Sequence, residues 1–119
     1  MKLIGSKQEQ EFRKELAASN IIMAQGDKEK AILKELRNTF GDMKTAYILN
    51  WTPEQCEDIF TILIDLDKIA KVEISRINHC EAPIIETYNF KEFQKGLSKI
   101  FQIKLAVAIY LAKKDHQNG

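Results

Sequence analysis

The sequence predicts an α+β domain with two N-terminal helices, a three-stranded, mainly antiparallel sheet and one long C-terminal helix. Three observations carry this. Apolar residues recur at helical spacing near both ends of the chain. Between residues 45 and 77 the pattern changes to β-branched runs, one of them alternating with period two. Helix-start signals, Ser6-x-x-Glu9 and Asn89-x-x-Glu92, stand just ahead of the first and last periodic segments.

Taken in order, the Ser6 and Glu9 capping box starts the first helix at Lys7, with Phe12 and Leu16 one turn apart. The apolar cluster Ile21, Ile22 and Met23 follows before Gly26 offers a stop. Asp27 is the expected N-cap of a second helix whose Ile32, Leu33, Leu36 and Phe40 form a stripe, with Gly41 as its left-handed terminator. Thr45 to Leu49 reads as the first strand, ending at Asn50 and the Thr52-Pro53 turn. Ile59 to Ile64 is almost wholly apolar, a strand buried on both faces. Ile69 to Ile77 sets Ala70, Val72 and Ile74 against Lys71, Glu73 and Ser75, a strand buried on one face. Asp65 to Lys68 between them is short enough for a hairpin. Residues 78 to 86 form a polar connection. A single helix is then expected from Phe90 to Lys113, with Tyr88 and Phe93 as a hydrophobic staple and Asp115 to Gly119 as a frayed tail.

A chain of 119 residues is long enough to bury a core without cross-links, and nothing rich in Gly, Ser or Pro divides it, so residues 1 to 119 read as one domain. The 18 Lys and Arg nearly balance 17 Asp and Glu, leaving no uniform field to recruit nucleic acid or an anionic membrane. Met1 to Ser6 lack the apolar stretch of an export signal, and the longest apolar run, Ile103 to Ala112 broken by Lys104, is about half of what a bilayer requires. The expectation is a cytoplasmic protein whose Cys56 and Cys80 are reduced, packed thiols.

No phosphate-cradling glycine motif occurs, and the adjacent His79, Cys80 and Glu81 lack the paired spacing of a zinc site, so no cofactor or metal is expected. Trp51, Tyr47 and Tyr88 are expected in the core rather than in an exposed patch. The densest polar group is acidic: Glu54, Glu57, Asp58, Asp65, Asp67 and Glu73. Asp58 on one strand and Glu73 on the next, within helix-strand-strand-strand-helix order, resemble the core of the PD-(D/E)xK nucleases. That resemblance implies a metal-dependent nuclease or a degenerate relative. Glu57 stands where the motif has Pro, and Ser75 where it has Lys.

The segment Asn50-Trp51-Thr52-Pro53-Glu54-Gln55-Cys56-Glu57-Asp58-Ile59-Phe60 is similar to stretches in the small cytoplasmic immunity proteins of bacterial polymorphic toxin systems. This resemblance implies a non-enzymatic protein that binds and neutralises a cognate toxin domain. Trp51, Glu54, Glu57, Asp58, Asp65 and Asp67 are then the expected partner-binding residues, the acids meeting the basic surface of a toxin that handles nucleic acid. The apolar second half of the last helix adds the expectation of a homodimer.

Overall fold

In the computed structural model, residues 3–20, 26–77 and 82–118 are described. The order is α1 (Lys7–Ala18), α2 (Asp27–Thr39), β1 (Ala46–Pro53), β2 (Glu57–Ile64), β3 (Lys68–Ser75), β4 (Ile84–Tyr88), α3 (Phe90–Lys95) and α4 (Lys99–Asn118). The fold is α+β: two N-terminal helices, a four-stranded antiparallel sheet in the order β1-β2-β3-β4, and a long C-terminal helix packed on α1.

The sheet separates two apolar layers because side chains alternate along each strand. One face holds Tyr47, Leu49, Leu63 and Ile69 beneath Phe12 and Leu16 of α1 and Leu105, Val107, Ala108 and Ala112 of α4. The other holds Ala46, Phe60, Ile62, Ile64, Ala70 and Val72 beneath Ile32 and Leu36 of α2. These are called the α4 face and the α2 face below. Strand β2 contributes to both, as its almost wholly apolar run predicts, while β3 buries chiefly its Ala70 and Val72 side. Ile103, Ile109 and Leu111, beside the expected dimer face, pack against the chain's own core, and Ala108 and Ala112 lie wholly inside it. Among the described residues no helix is long and apolar enough to cross a membrane.

Several boundaries differ from expectation. The connection after residue 78 contains a fourth strand, since Ile84-Ile85-Glu86-Thr87-Tyr88 alternates across the outer edge of β3. Strand β1 runs on through Asn50 to Pro53, with a bulge between Ile48 and Asn50 that lets Leu49 and Asn50 both serve the α4 face. Its proline is tolerated because β1 is an edge strand. The C-terminal helix is two helices: Gly96 caps α3, and the Ser98 hydroxyl accepts the Phe101 N–H to start α4. Helix α4 continues to Asn118 and leaves no frayed segment at Asp115. Gly26, not Asp27, is the N-cap of α2, which ends at Thr39 before a non-helical Phe40; Gly41 is not left-handed. The left-handed residue of the hairpin region is Asp65, at φ 53°, in the three-residue β2–β3 loop. Ile21, Ile22, Met23, His79, Cys80 and Glu81 lie outside the described residues. Cys56 is exposed rather than packed.

The α1 start forms as the sequence indicates. Ser6 Oγ accepts the Glu9 N–H (3.2 Å), and the Glu9 carboxylate accepts the N–H groups of Ser6 (2.9 Å), Ile4 (2.9 Å) and Gly5 (3.3 Å). The Ser6 hydroxyl and then the Ser6 N–H lower the Glu9 pKa below its ordinary 4.5, outweighing partial burial, with Gly5 and Ile4 adding to the effect. A carboxylate with a depressed folded pKa contributes stability that is present above its free value and lost as pH falls through the folded value. Glu9→Gln should therefore lower the melting temperature at pH 7, and its deficit against wild type should shrink steadily below pH 4.5. Thermal melts across that range test this; a deficit constant down to the acid transition would contradict it.

Candidate functional site

The end of the sheet around the β1–β2 turn places one exposed aromatic over a buried charge. Register sets Trp51 opposite Phe60, and Pro53 opposite Asp58, so Trp51, Asp58 and Phe60 all belong to the α2 face. The Trp51 ring stacks on Phe60, with centroids 6.4 Å apart and planes 13° from parallel. Its Nε1–H donates to Asp58 Oδ1 (3.0 Å). The same oxygen accepts from Arg76 Nε (3.0 Å) and Nη2 (2.5 Å). Arg76 can reach it because its own N–H donates to the Cys56 carbonyl (2.9 Å), which prolongs the β2–β3 ladder past Ser75. The hydrogen bonds that Arg76 donates to Asp58, and then the Asp58 charge, raise the Arg76 pKa above the ordinary guanidinium value against the opposing effect of burial.

This changes the standing of the sequence-expected residues. Asp58 is only 2% exposed and neutralised by Arg76, so it is an internal strut rather than a surface charge. Trp51, by contrast, is 54% exposed and Tyr88 42%, against the expectation of core packing, which Tyr47 at 3% does meet. Trp51 and Tyr88 also lie on opposite faces, since Tyr88 pairs with Ile69. Glu54 is exposed, and its N–H closes the turn on the Glu57 carbonyl (2.8 Å). Glu57 is half-buried on the α4 face, in a cleft of about 160 Å³ with Cys56, Glu73, Ser75, Ala82 and Ile84.

Asp65 and Asp67 are at the other end of β2, roughly 20 Å away at about 3.3 Å per residue. The six expected residues therefore do not form one patch. Asp67 is exposed, whereas Asp65 is committed locally: its Oδ1 accepts the N–H groups of Lys44 (2.8 Å) and Thr45 (3.0 Å) and lies 3.3 Å from His116 Nε2. The same His116 nitrogen is 3.2 Å from Thr45 Oγ1, and the Tyr47 hydroxyl donates to Asp115. Burial first, and then the Asp115 hydrogen bond and charge, raise the Tyr47 pKa well above that of a free phenol. One imidazole nitrogen serving both Thr45 and Asp65 is not a nucleophile-base-orienter relay, which needs the two ring nitrogens for two different partners. The group fastens the end of α4 to the sheet.

The nuclease-like acids are not brought together. Asp58 pairs with Ile74, and Glu73 pairs with Ile59, so the two carboxylates leave opposite faces of the sheet. Glu73 is held instead by Lys71 Nζ at 3.0 Å. That contact, followed by the Tyr88 phenol, raises the Lys71 pKa against the opposing effect of burial, with the charges of Glu73 and Glu86 adding to the rise. Among the described residues no three His, Cys, Asp or Glu side chains are grouped to hold a metal ion.

Two residues escaped the sequence reading. Arg76 sits just past a strand end, and only the register shows that it meets Asp58; His116 looked like tail. By comparison, β4 had a legible signal, the alternating Ile84 to Tyr88 run directly after Pro83. Set against protein-family models, curated proteins and solved structures, the chain finds no match.

Proposed function

We propose that this chain is a non-enzymatic binding protein, a cytoplasmic immunity protein that covers a bacterial toxin domain with the β1–β2 end of its sheet. The observation that carries this reading is Trp51, more than half exposed yet fixed by stacking on Phe60 and by the Asp58 hydrogen bond. Leaving a large aromatic in water is unfavourable, and holding it in one conformation removes most of the ordering cost of a later contact. Preorganised aromatic anchors with charged rims are what binding hot spots are made of. Glu54, exposed in the β1–β2 turn, supplies an acidic rim at this end of the sheet, and Glu57 adds a carboxylate from the opposite face, a charge suited to a toxin surface that holds phosphates with Lys or Arg.

The test is binding to the toxin encoded next to this protein. Trp51→Ala should weaken affinity about thirtyfold, the equivalent of a hot spot of about 2 kcal/mol. Trp51→Phe, which keeps the stacking on Phe60, should recover part of it and control for folding. The pair Glu54→Lys and Glu57→Lys, with buried Asp58 left intact, should slow association and reduce its salt dependence. No binding to the neighbouring toxin, or full affinity in Trp51→Ala, would sink the proposal.

A further inference from the structure

The two edges of the sheet are treated differently by the chain. Strand β1 is blunted along its length: Asn20 bridges to Tyr47, the Ser19 carbonyl accepts the Ile48 N–H (3.4 Å), a bulge follows, and Pro53 ends the strand. Such devices stop a foreign strand from adding to an edge. Strand β4 has none of them within Ile84–Tyr88, and among the described residues it pairs only with β3. Its α4-face side chains are all exposed: Ile84 (51%), Glu86 and Tyr88 (42%).

We propose that β4 docks an extended strand of a partner protein carrying Lys or Arg opposite Glu86, flanked two residues away on each side by apolar residues opposite Ile84 and Tyr88. Register supplies the argument. The row Asn50–Thr61–Lys71–Glu86 crosses all four strands on one face and ends at the open edge in a carboxylate. Lys71, the cation in that row and the register partner of Glu86, is engaged by Glu73 at 3.0 Å; the Glu86 charge acts on it at longer range, and no described cation lies within salt-bridge distance of Glu86. A cation on the next strand would complete the alternation, and opposite charges directly across an antiparallel pair stabilise it. On the same face, Ile84 and Tyr88 lie two positions either side of Glu86 and present apolar surface to the incoming residues.

A second copy of this chain is a poor occupant. Strand β4 contains no Lys or Arg. Two-fold pairing centred on Glu86 sets carboxylate against carboxylate, and the neighbouring registers set Glu86 against Tyr88 or Ile84. Ile84 shares a cleft with Glu57, but Trp51 and Glu54 lie away from it, Trp51 on the opposite face of the sheet, so either proposal can fail alone.

The experiment uses the full chain and a capped peptide, Ser-Val-Thr-Lys-Thr-Val-Ser, followed by fluorescence anisotropy and amide chemical shifts. Binding should perturb the amides of residues 84 to 88. Glu86→Lys, a change at an exposed side chain, should weaken the Lys peptide about tenfold and favour the peptide with Glu in its place. N-methylation at alternate peptide positions should abolish binding in one parity and spare it in the other, because only every second N–H faces the edge. Three results would overturn the proposal: no binding at millimolar peptide, indifference to Glu86→Lys, or equal binding by both N-methylated parities. Trp51→Ala should leave peptide binding unchanged. A concentration-dependent dimer that protects residues 84 to 88 and resists the peptide would assign the edge to a second copy instead.

Discussion

Replacing Leu16 and Leu36 together by Ala is expected to remove about 6 kcal/mol of stability, twice the loss of about 3 kcal/mol from either change alone. Both side chains are fully buried, Leu16 in the layer under α1 and α4 and Leu36 in the layer under α2. Each truncation removes three methylene-equivalents from water-free packing and leaves a cavity that its helix can only partly close. The whole sheet lies between the two sites, so they share no neighbours and their effects should add. Against a usual total of about 5–15 kcal/mol, the double variant stands near or past unfolding at room temperature. Urea denaturation of the two single variants and the double variant measures it. A double-variant loss well short of the sum would mean that the two layers relax through the sheet as one core.

Asp58→Ala is expected to cost about 2–4 kcal/mol, because one buried oxygen accepts three separate N–H donors. Removing it leaves the Arg76 guanidinium without its counter-charge and the Trp51 indole without its acceptor. As the chain has one Trp, its emission reports the site directly, and should shift to the red and lose anisotropy as the ring is released. Asp58→Asn keeps the shape and one acceptor, and should cost less because the charge-assisted part of the bonding is lost alone. If Asp58→Ala changes neither the denaturation midpoint nor the Trp51 emission, the carboxylate is not the strut that the geometry describes. The same variant bears on binding, since a loosened Trp51 must be ordered again at the interface.

Why some of this was legible in sequence and some was not follows from the range of the interactions involved. The Ser6–Glu9 box and the Asn89 cap are local, and the structure forms them as the residue spacing indicates. The double-sided burial of Ile62, Leu63 and Ile64 follows from an apolar run that no half-exposed strand carries. The break at Gly96–Ser98 was hidden because Phe93, Leu97 and Phe101 keep helical spacing across it. The sharing of Asp58 by Trp51 and Arg76 is a matter of register, fixed by pairing across 18 residues for Arg76. Residue composition cannot express register, and for the same reason Asp58 and Glu73 could look like a pair while facing apart.

Because the sheet is covered by elements from different parts of the chain, its two faces close at different moments of synthesis. The α2-face layer draws on residues 32 to 72, with Ile74 and Ile85 packed at its margin, so every buried member has been made before β4 is complete. The opposite layer needs Leu105, Val107, Ala108 and Ala112, which are made more than 30 residues after Val72. A nascent chain that has not yet reached Leu105 carries Tyr47, Leu49, Leu63 and Ile69 without their α4 cover. For that interval the growing polypeptide is a half-roofed sheet with an adhesive surface. The Asn50, Thr61, Lys71 and Glu73 side chains distributed over the same face are then what separates its apolar half from any neighbour still emerging.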